Sequence, residues 1–277
     1  MDTWYGAPAR AGSVLVAIDD VDSCPQLLAW AAAEAAGRHT GLSIVHACPR
    51  QPMWDPATIA EWAPEHLRVR QEALDLLSAA EEYVHATVPA VEVRLTLRAG
   101  APLRVIRSEA RRASLTVLGR GSAHRRSVTS RFIARSGSPV SVVGCTDPTV
   151  RLPPTNRVIA ILLPGQGSST VLAVLDVALT TARRHRWPVT VMADWSDIWQ
   201  AGLAGLILRA RAHMSGDVDL ETRSMGGRSS TLPPVEALTA AMVVLAATRR
   251  DRARAGTGPL DRLLRSSGAT TTYIPQP

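Results

Sequence analysis

The sequence contains no lysine, and all 31 of its basic side chains are arginines. Without lysine the chain has no P-loop lysine, no Schiff-base lysine and no kinase-type phosphate lysine. Only three cysteines are present, Cys24, Cys48 and Cys145, and no two of them form a CxxC pair. These counts disfavour a disulfide scaffold and a cysteine-rich zinc site, and we expect reduced thiols in a cytoplasmic protein.

Long apolar segments are missing too. The longest, such as residues 240–247, are too short to cross a bilayer, and residues 1–12 lack the apolar core of a signal peptide. The seven histidines show no HExxH or other metal-ligand spacing, and there is no Gly-x-Ser-x-Gly elbow of an α/β-hydrolase. We therefore expect no membrane segment and no bound metal, and we interpret His46 as a hydrogen-bonded strand-end residue.

The net charge of +7 is concentrated in the second half of the chain. Residues 1–150 carry 16 arginines against 15 acidic residues, whereas residues 151–277 carry 15 arginines against nine acidic residues. A charge of this size favours solubility and weak attraction of anions, so nucleic acid is not expected as a partner. The basic run 249–254 is interpreted as a solvated loop, with an RNA or anion patch as the alternative.

The apolar pattern predicts alternating strands and helices in both halves of the chain. Short continuous apolar runs are typical of strands buried on both faces of a parallel sheet, and segments with helical spacing lie between them. The predicted strands are 13–18, 42–46, 91–97, 115–118 and 140–143, then 158–163, 189–192, 218–222, 242–246 and 270–274. The predicted helices are 25–37, 65–87, 102–113 and 127–135, then 170–186, 198–214, 233–239 and 260–267, while 52–64 is expected to be irregular.

This order predicts an α/β fold with two tandem five-stranded parallel sheets, each with helices on both faces. The predicted domains are residues 12–146 and 157–275, joined by a proline-rich linker at 147–156. The strands 140–143 and 270–274 end the two domains. We predict that they pair with each other as an intrachain pseudo-dimer, because unpaired sheet edges are normally covered. Further dimerisation of the whole chain is left open.

Two features follow strands where ligands of open parallel sheets bind. Asp19 ends the first strand, where it can accept hydrogen bonds from a ligand or cap the turn into the next helix. The loop Gly119–Ser122 ends the fourth strand, and its backbone can approach an anion such as a phosphate. The alternative is a solvated loop. Basic residues in and around this loop are Arg120, His124, Arg125, Arg126 and Arg131.

These segments resemble the universal stress protein family. The resemblance rests on Val14–Asp19 with Trp30 eleven residues further on, and on Val117–Gly119, Ser127–Arg131 and Ser138–Val143. It covers nearly all of residues 12–145, and 157–275 only as a degenerate copy. The resemblance implies a five-stranded parallel sheet of Rossmann-like or flavodoxin-like type and dimerisation through the last strand. In one subgroup of the family it implies ATP binding without a known transfer reaction.

The ATP-binding subgroup carries the motif G-x2-G-x9-G-[S/T], and this sequence departs from it. Gly119 matches the first glycine and Ser127 the final hydroxyl, but Arg126 replaces the glycine before that serine and the loop is shorter. A side chain at 126 crowds the phosphates, or its charge replaces backbone amides. The candidate nucleotide-binding residues that the resemblance implies are Asp19, Gly119, Gly121, Arg126, Ser127, Val128 and Thr129.

The second domain has lost the matching residues. Leu163 stands where the first domain has Asp19, and Gly165–Thr170 is interpreted as a glycine-rich turn that serves packing. The resemblance therefore implies a non-catalytic sensor or scaffold of the stress response, which binds ATP or another adenine nucleotide in the first domain only. The alternative is a protein-interaction module that has lost nucleotide binding and acts on an unknown protein partner. A slow ATP hydrolase is the third hypothesis.

Overall fold

The computed structural model describes residues 9–19, 25–48, 56–120, 128–133, 135–144, 155–163, 166–193, 197–213, 218–224, 239–247 and 269–275. The contacts divide the chain into two compact units, Met1–Gly119 and Arg120–Pro277. Both units are α/β and mostly parallel, as the sequence predicts. The predicted domain boundaries at 146 and 157 stay a prediction.

The first unit alternates strands and helices along its whole described length. Its elements are β1 (Val14–Ala17), α1 (Pro25–Gly37), β2 (Leu42–Cys48), α2 (Pro56–Thr87), β3 (Val93–Ala99), α3 (Pro102–Ala110) and β4 (Leu115–Gly119). The strands lie in the order β3-β2-β1-β4 and all pair in parallel. β1 therefore lies between two hydrogen-bonded neighbours, β2 and β4.

The core of this unit lies around β1. Val14, Leu15 and Val16 are completely buried, although successive side chains of a strand point to opposite faces. α1 packs against β1, α2 packs against β2 and β3, and α3 packs against β2 and β1. Burial of both faces explains why the apolar run of β1 is continuous rather than alternating. The strand order places the carboxyl end of β1 between those of β2 and β4.

The second unit contains the remaining elements. They are α4 (Val128–Ile133), β5 (Val140–Val143), β6 (Thr155–Leu162), α5 (Ser168–His185), β7 (Val189–Ala193), α6 (Asp197–His213), β8 (Leu220–Ser224), β9 (Ala240–Ala247) and β10 (Thr270–Pro275). The strands lie in the order β5-β10-β9-β6-β7-β8. The part β9-β6-β7-β8 has the same order as β4-β1-β2-β3 in the first unit, and β10 continues it in parallel.

β5 and β10, the two strands predicted to pair with each other, lie side by side in antiparallel orientation. Val142 lies opposite Thr271, and Ser141 lies opposite Thr272. The hydroxyl groups of Ser141 and Thr272 are buried and 2.7 Å apart. Each strand thus covers backbone groups of the other that an edge would leave exposed.

Two sequence expectations about element limits are wrong. Residues 52–64 were expected to be irregular, but α2 begins at Pro56 and continues through Pro64 to Thr87. Pro56 fits the first helical position, whereas Pro64 lies inside the helix, where proline removes a backbone hydrogen bond and crowds the preceding turn. The strand predicted to begin at residue 158 begins at Thr155, which pairs with Ala240.

Some predictions fall on residues outside the described ones. These are the helix at 260–267, the helix at 233–239 apart from Thr239, the linker at 147–154 and the basic run at 249–254.

Candidate functional site

The first unit has a point where its strand order reverses. From β1 the chain passes to β2 and β3 on one side, and it then returns to β4 on the other side of β1. Ligands of open α/β sheets bind in the crevice outside the carboxyl ends of the strands at such a point. β1 and β4 pair in register up to Ala17 and Leu118, so Asp19 and Gly119 follow at neighbouring strand ends. The candidate site is defined by these two residues.

Asp19 is an exposed side chain on an anchored backbone. The amide of Ile18 donates to the Val45 carbonyl at 3.0 Å, which prolongs the β1–β2 pairing beyond Ala17. The Nδ1 of His46 donates to the carbonyl of Ile18 at 2.9 Å. The sequence predicts His46 to be a hydrogen-bonded core residue at a strand end; it is hydrogen-bonded, but it is half-buried and β2 continues beyond it to Cys48. The bond also holds the backbone immediately before Asp19, so the carboxylate is presented from a fixed position.

Gly119 is half-buried at the end of β4. A Cβ atom built at this position meets Leu27 Cδ2 at 3.6 Å, an ordinary van der Waals contact. The protein itself therefore has room for an alanine at 119. What a glycine adds here is a backbone that a ligand can approach closely, because no side chain stands between them.

The other predicted site residues belong to the second unit or lie outside the described residues. Val128 is exposed at the start of α4, and Thr129 is buried in its first turn. Gly121, Arg126 and Ser127 lie outside the described part of the chain. The structure puts Asp19 and Gly119 at neighbouring strand ends, and a ligand role for any of these residues stays a prediction.

Arg120 has a different role from the one that its place beside the glycine loop indicates. Its backbone amide donates to the Val143 carbonyl at 3.0 Å, and its Nη2 donates to the Ala269 carbonyl at 3.1 Å. The arginine therefore connects the end of β5 with the residue that precedes β10. This long-range contact could not be read from the sequence.

The sequence analysis did not predict a buried ion pair between β3 and α3. Arg98 on β3 and Glu109 on α3 are 5% and 3% exposed, and Arg98 Nε donates to Glu109 Oε1 at 3.2 Å. Glu109 Oε2 also accepts the backbone amide of Ala9 at 2.9 Å. Burial lowers the pKa of the Arg98 guanidinium, and the Glu109 carboxylate opposes this shift. The only signal in the sequence is an acidic residue among the apolar positions of α3.

The equivalent strand end in the second unit carries Leu163, which is half-buried and offers no polar side chain. Gln166 follows it and is buried, while Ser168 and Ser169 are exposed in the first turn of α5. Gly165 lies outside the described residues. This half therefore lacks a carboxylate at the position of Asp19, as the sequence indicates.

The described residues show neither a metal-binding cluster nor a membrane-spanning helix. No group of three or more His, Cys, Asp or Glu side chains in the described ranges is arranged to hold a metal ion. Among the helices of the same residues, none combines the length and the apolar character needed to cross a membrane.

Known proteins with similar sequences and similar folds include members of one protein family. Residues 11–144 match the sequence model of the universal stress protein family. A universal stress protein of Mycobacterium tuberculosis is 27% identical over 229 residues, which cover 79% of this chain and 76% of that protein.

Two solved structures are similar over nearly the whole chain. A universal stress protein from Archaeoglobus fulgidus has a TM-score of 0.69 at 12% identity, and the match covers 96% of this chain and 97% of that one. The cytoplasmic domain of a prokaryotic cation chloride cotransporter has a TM-score of 0.55 at 13% identity and covers 95% of both chains. At these identities the likeness concerns the fold, and function has to be argued from the site.

Proposed function

We propose that residues 11–144, which match the sequence model of the universal stress protein family, bind an adenine nucleotide without converting it. The chain then acts as a sensor or scaffold of the stress response, whose interactions depend on whether the nucleotide is bound. The proposed carboxylate belongs to the first unit alone, because the matching strand end of the second unit carries Leu163 in place of Asp19.

The observation that carries the proposal is the pair of strand ends at the β1–β4 reversal. An exposed carboxylate, Asp19, stands beside a backbone without a side chain, Gly119. A carboxylate can only accept hydrogen bonds, and the ribose hydroxyls and the adenine amino group are donors that fit it. The hydrogen bond from His46 to the Ile18 carbonyl keeps the backbone beside Asp19 in place, so the nucleotide meets a preorganised acceptor.

The phosphate end of the nucleotide is assigned to the loop and helix that follow Gly119. By the family resemblance, Gly121 offers a backbone amide and Ser127 offers a hydroxyl group. Arg126 adds a positive charge where the resembling subgroup has glycine. A guanidinium can bind phosphate oxygens in a bidentate manner, which compensates for amides that the shorter loop lacks.

Catalysis is not part of the proposal. The sequence has no lysine to act on phosphates, and Nδ1 of His46 is engaged with a backbone carbonyl. Asp19 is the one carboxylate that the described residues place at the reversal, and a base alone does not provide the electrostatic stabilisation that phosphoryl transfer requires. We therefore expect the protein to release phosphate from ATP, over hours, no faster than a control without protein.

The direct test is isothermal titration calorimetry of the full chain with ATP and with AMP. We expect saturable heat with both nucleotides, and we expect Asp19→Ala to weaken both by roughly tenfold, the loss of one charge-assisted hydrogen bond. Asp75→Ala is the matched control, since Asp75 is an exposed carboxylate on α2 that accepts from Gln71 at 2.8 Å. Equal affinities of the wild type and Asp19→Ala would remove Asp19 from the site.

Arg126→Gly tests the phosphate end separately. Weaker ATP binding with unchanged AMP binding shows that the guanidinium contacts the outer phosphates, as proposed. Tighter ATP binding shows that the arginine obstructs the site, and an unchanged affinity shows that it does not touch the ligand.

A second candidate function is a protein-interaction module of the same fold. The observation that favours it is the loop after Gly119, which is shorter than in the ATP-binding subgroup and has Arg126 at the close-approach position. Absence of heat with both nucleotides, at high concentration of folded protein, would support this candidate and contradict the nucleotide proposal.

A further inference from the structure

The exposed side of α3, all of which the structure describes, carries four arginines and no acidic residue. The helix covers Pro102–Ala110, and its C-cap, Arg111, still has helical dihedral angles. Successive residues of a helix are rotated by about 100°, so positions 104, 107, 111 and 112 lie within an arc of about 140°. Ser108 is exposed between them. We name this surface the arginine face, and its members are Arg104, Arg107, Arg111 and Arg112.

The opposite side of α3 attaches the helix to the sheet. Val105, Ile106 and Ala110 are buried there, and α3 packs against β1 and β2. Glu109 belongs to this side, because it is buried and pairs with Arg98. The one carboxylate of the helix is therefore used on the buried side, and the arginine face receives no counter-charge from its own helix.

The rest of the described chain does not neutralise these arginines either. None of the four guanidinium groups makes a salt bridge or a side-chain hydrogen bond within the described ranges. Other exposed arginines of the same unit are paired, since Arg10, Arg68 and Arg94 each contact a glutamate. The arginine face is thus a positive surface without a counter-charge in the described part of the chain.

The arrangement of the arginine face opposes the stability of the helix itself. Arg104 lies in the first turn, which has no acidic residue, and there the positive end of the helix dipole disfavours a cation. Arg107 follows Arg104 at i+3, and Arg111 follows Arg107 at i+4, so like charges repel along the face. Only Arg111 and Arg112, at the end of the helix, lie where the dipole favours a cation. The helix therefore does not explain the whole face, whereas an anionic partner would offset the repulsion.

The small extent of the face favours a small acidic partner. It is about 12 Å long from Arg104 to Arg112, at 1.5 Å per residue. Without its four members, residues 1–150 contain 12 arginines against 15 acidic residues. Duplex nucleic acid carries one charge per about 1.7 Å over its whole length, so it would also meet this acidic remainder, as would an anionic membrane. Among its exposed residues the face also has no aromatic or large apolar side chain to enter a bilayer or stack on bases.

We propose that the arginine face of α3 binds an acidic helix of a protein partner. Glutamates that repeat at the spacing of the arginines bring one carboxylate to each guanidinium, which can hold it through two parallel hydrogen bonds. Exposed ion pairs contribute little individually, so the complex is weak and depends on all four contacts. It is also sensitive to salt, since charges are screened over about 8 Å at physiological ionic strength. The surface does not include Asp19, and this proposal does not depend on nucleotide binding.

Two synthetic peptides test the proposal. Both are fluorescently labelled, alanine-rich helices with four glutamates, which lie on one side at the spacing of the arginines in the first and are spread around the helix in the second. Fluorescence anisotropy with the full chain measures their binding at physiological and at raised ionic strength. We expect the one-sided peptide to bind roughly fivefold more tightly than the other, and salt to weaken it. Equal affinities, or no binding to folded protein, would overturn the proposal.

Duplex DNA and phosphatidylserine vesicles identify a different class of partner. We expect both to bind more weakly than the one-sided peptide at physiological ionic strength. Tighter binding of either one, lost when arginines of the face are replaced, would assign the face to a phosphate surface and contradict an acidic protein partner.

Variants assign the binding to the arginine face. Arg104→Gln/Arg107→Gln should weaken the one-sided peptide roughly fivefold, since two of the four contacts are lost. Arg183→Gln/Arg209→Gln is the matched control, because it removes the same charge from exposed helical positions of the second unit, and it should leave the affinity unchanged. Asp19→Ala should have no effect either, which separates this surface from the nucleotide site.

Urea denaturation separates binding from folding. Arg104→Gln/Arg107→Gln should keep or raise the free energy of unfolding, because it removes repulsion between like charges. A clear loss of stability would show that these arginines serve the helix, and an unchanged peptide affinity would show that they do not bind the peptide. Either result would contradict the proposal.

Discussion

Replacing Glu109 by glutamine tests whether the buried ion pair with Arg98 organises the first unit. The side chain is isosteric, but one carboxylate oxygen becomes an NH2 group that faces either Arg98 Nε–H or the Ala9 N–H, both of which are donors. The Arg98 guanidinium, 5% exposed, loses the negative charge of Glu109. Breaking a buried pair by removing one partner costs about 3–5 kcal/mol, and we expect Glu109→Gln to lower the free energy of unfolding by about 3 kcal/mol.

Urea denaturation followed by circular dichroism measures this loss, with an exposed ion pair of the same unit as control. Glu92 pairs with Arg10 at 3.0 Å, and their side chains are 52% and 60% exposed. Glu92→Gln should therefore cost less than about 1 kcal/mol. Equal losses for the two variants would refute the reasoning, because burial would then add nothing to the pair. The double variant Arg98→Met/Glu109→Leu should recover most of the loss, since it removes both charges together.

Three further outcomes follow from single residues. Val142→Pro removes a backbone donor of β5 opposite Thr271, so amides of β10 should exchange with deuterium faster, and unchanged exchange would speak against the pairing. Gly12 has a φ of +79°, so Gly12→Ala should cost roughly 1 kcal/mol in urea denaturation, whereas Gly137→Ala, with open space and no positive φ, should cost nothing measurable. Arg223 and Arg157 lower the pKa of Glu221 below its ordinary value of about 4.3. The stability that these contacts give the folded chain is therefore complete above that ordinary value and is lost as the pH falls toward the lowered pKa. Arg223→Gln should move that pKa upward in a carbon-13 NMR titration, and no movement would contradict the contact.

Local sequence patterns predict helices and strands. The apolar run 13–18 predicts a strand buried on both faces, and helical spacing with Pro25 and Gly37 at its ends predicts α1 with the limits that the structure has. The segment 52–64 was predicted to be irregular, whereas α2 begins at Pro56 and continues through Pro64.

Local sequence patterns could not predict contacts between residues that are far apart in the chain. The Arg120 side chain donates to the Ala269 carbonyl, 149 residues away. The residues next to Arg120 in the sequence indicate an anion-binding loop and give no sign of this contact. Arg98 and Glu109 look like surface residues because isolated charges are rarely buried, and only their mutual contact makes the burial tolerable. Asp19 was identified because its position at a strand end is itself a topological signal.

The most direct test of the central claim is to identify what the purified protein carries. The full chain is purified without added nucleotide and denatured, and the released small molecules are identified by mass spectrometry. Asp19→Ala is treated in the same way. The account predicts an adenine nucleotide in a fixed proportion to the wild-type chain and a strongly reduced amount with Asp19→Ala. Equal amounts from both proteins, or no adenine nucleotide from wild-type protein that also gives no heat with ATP, would contradict it.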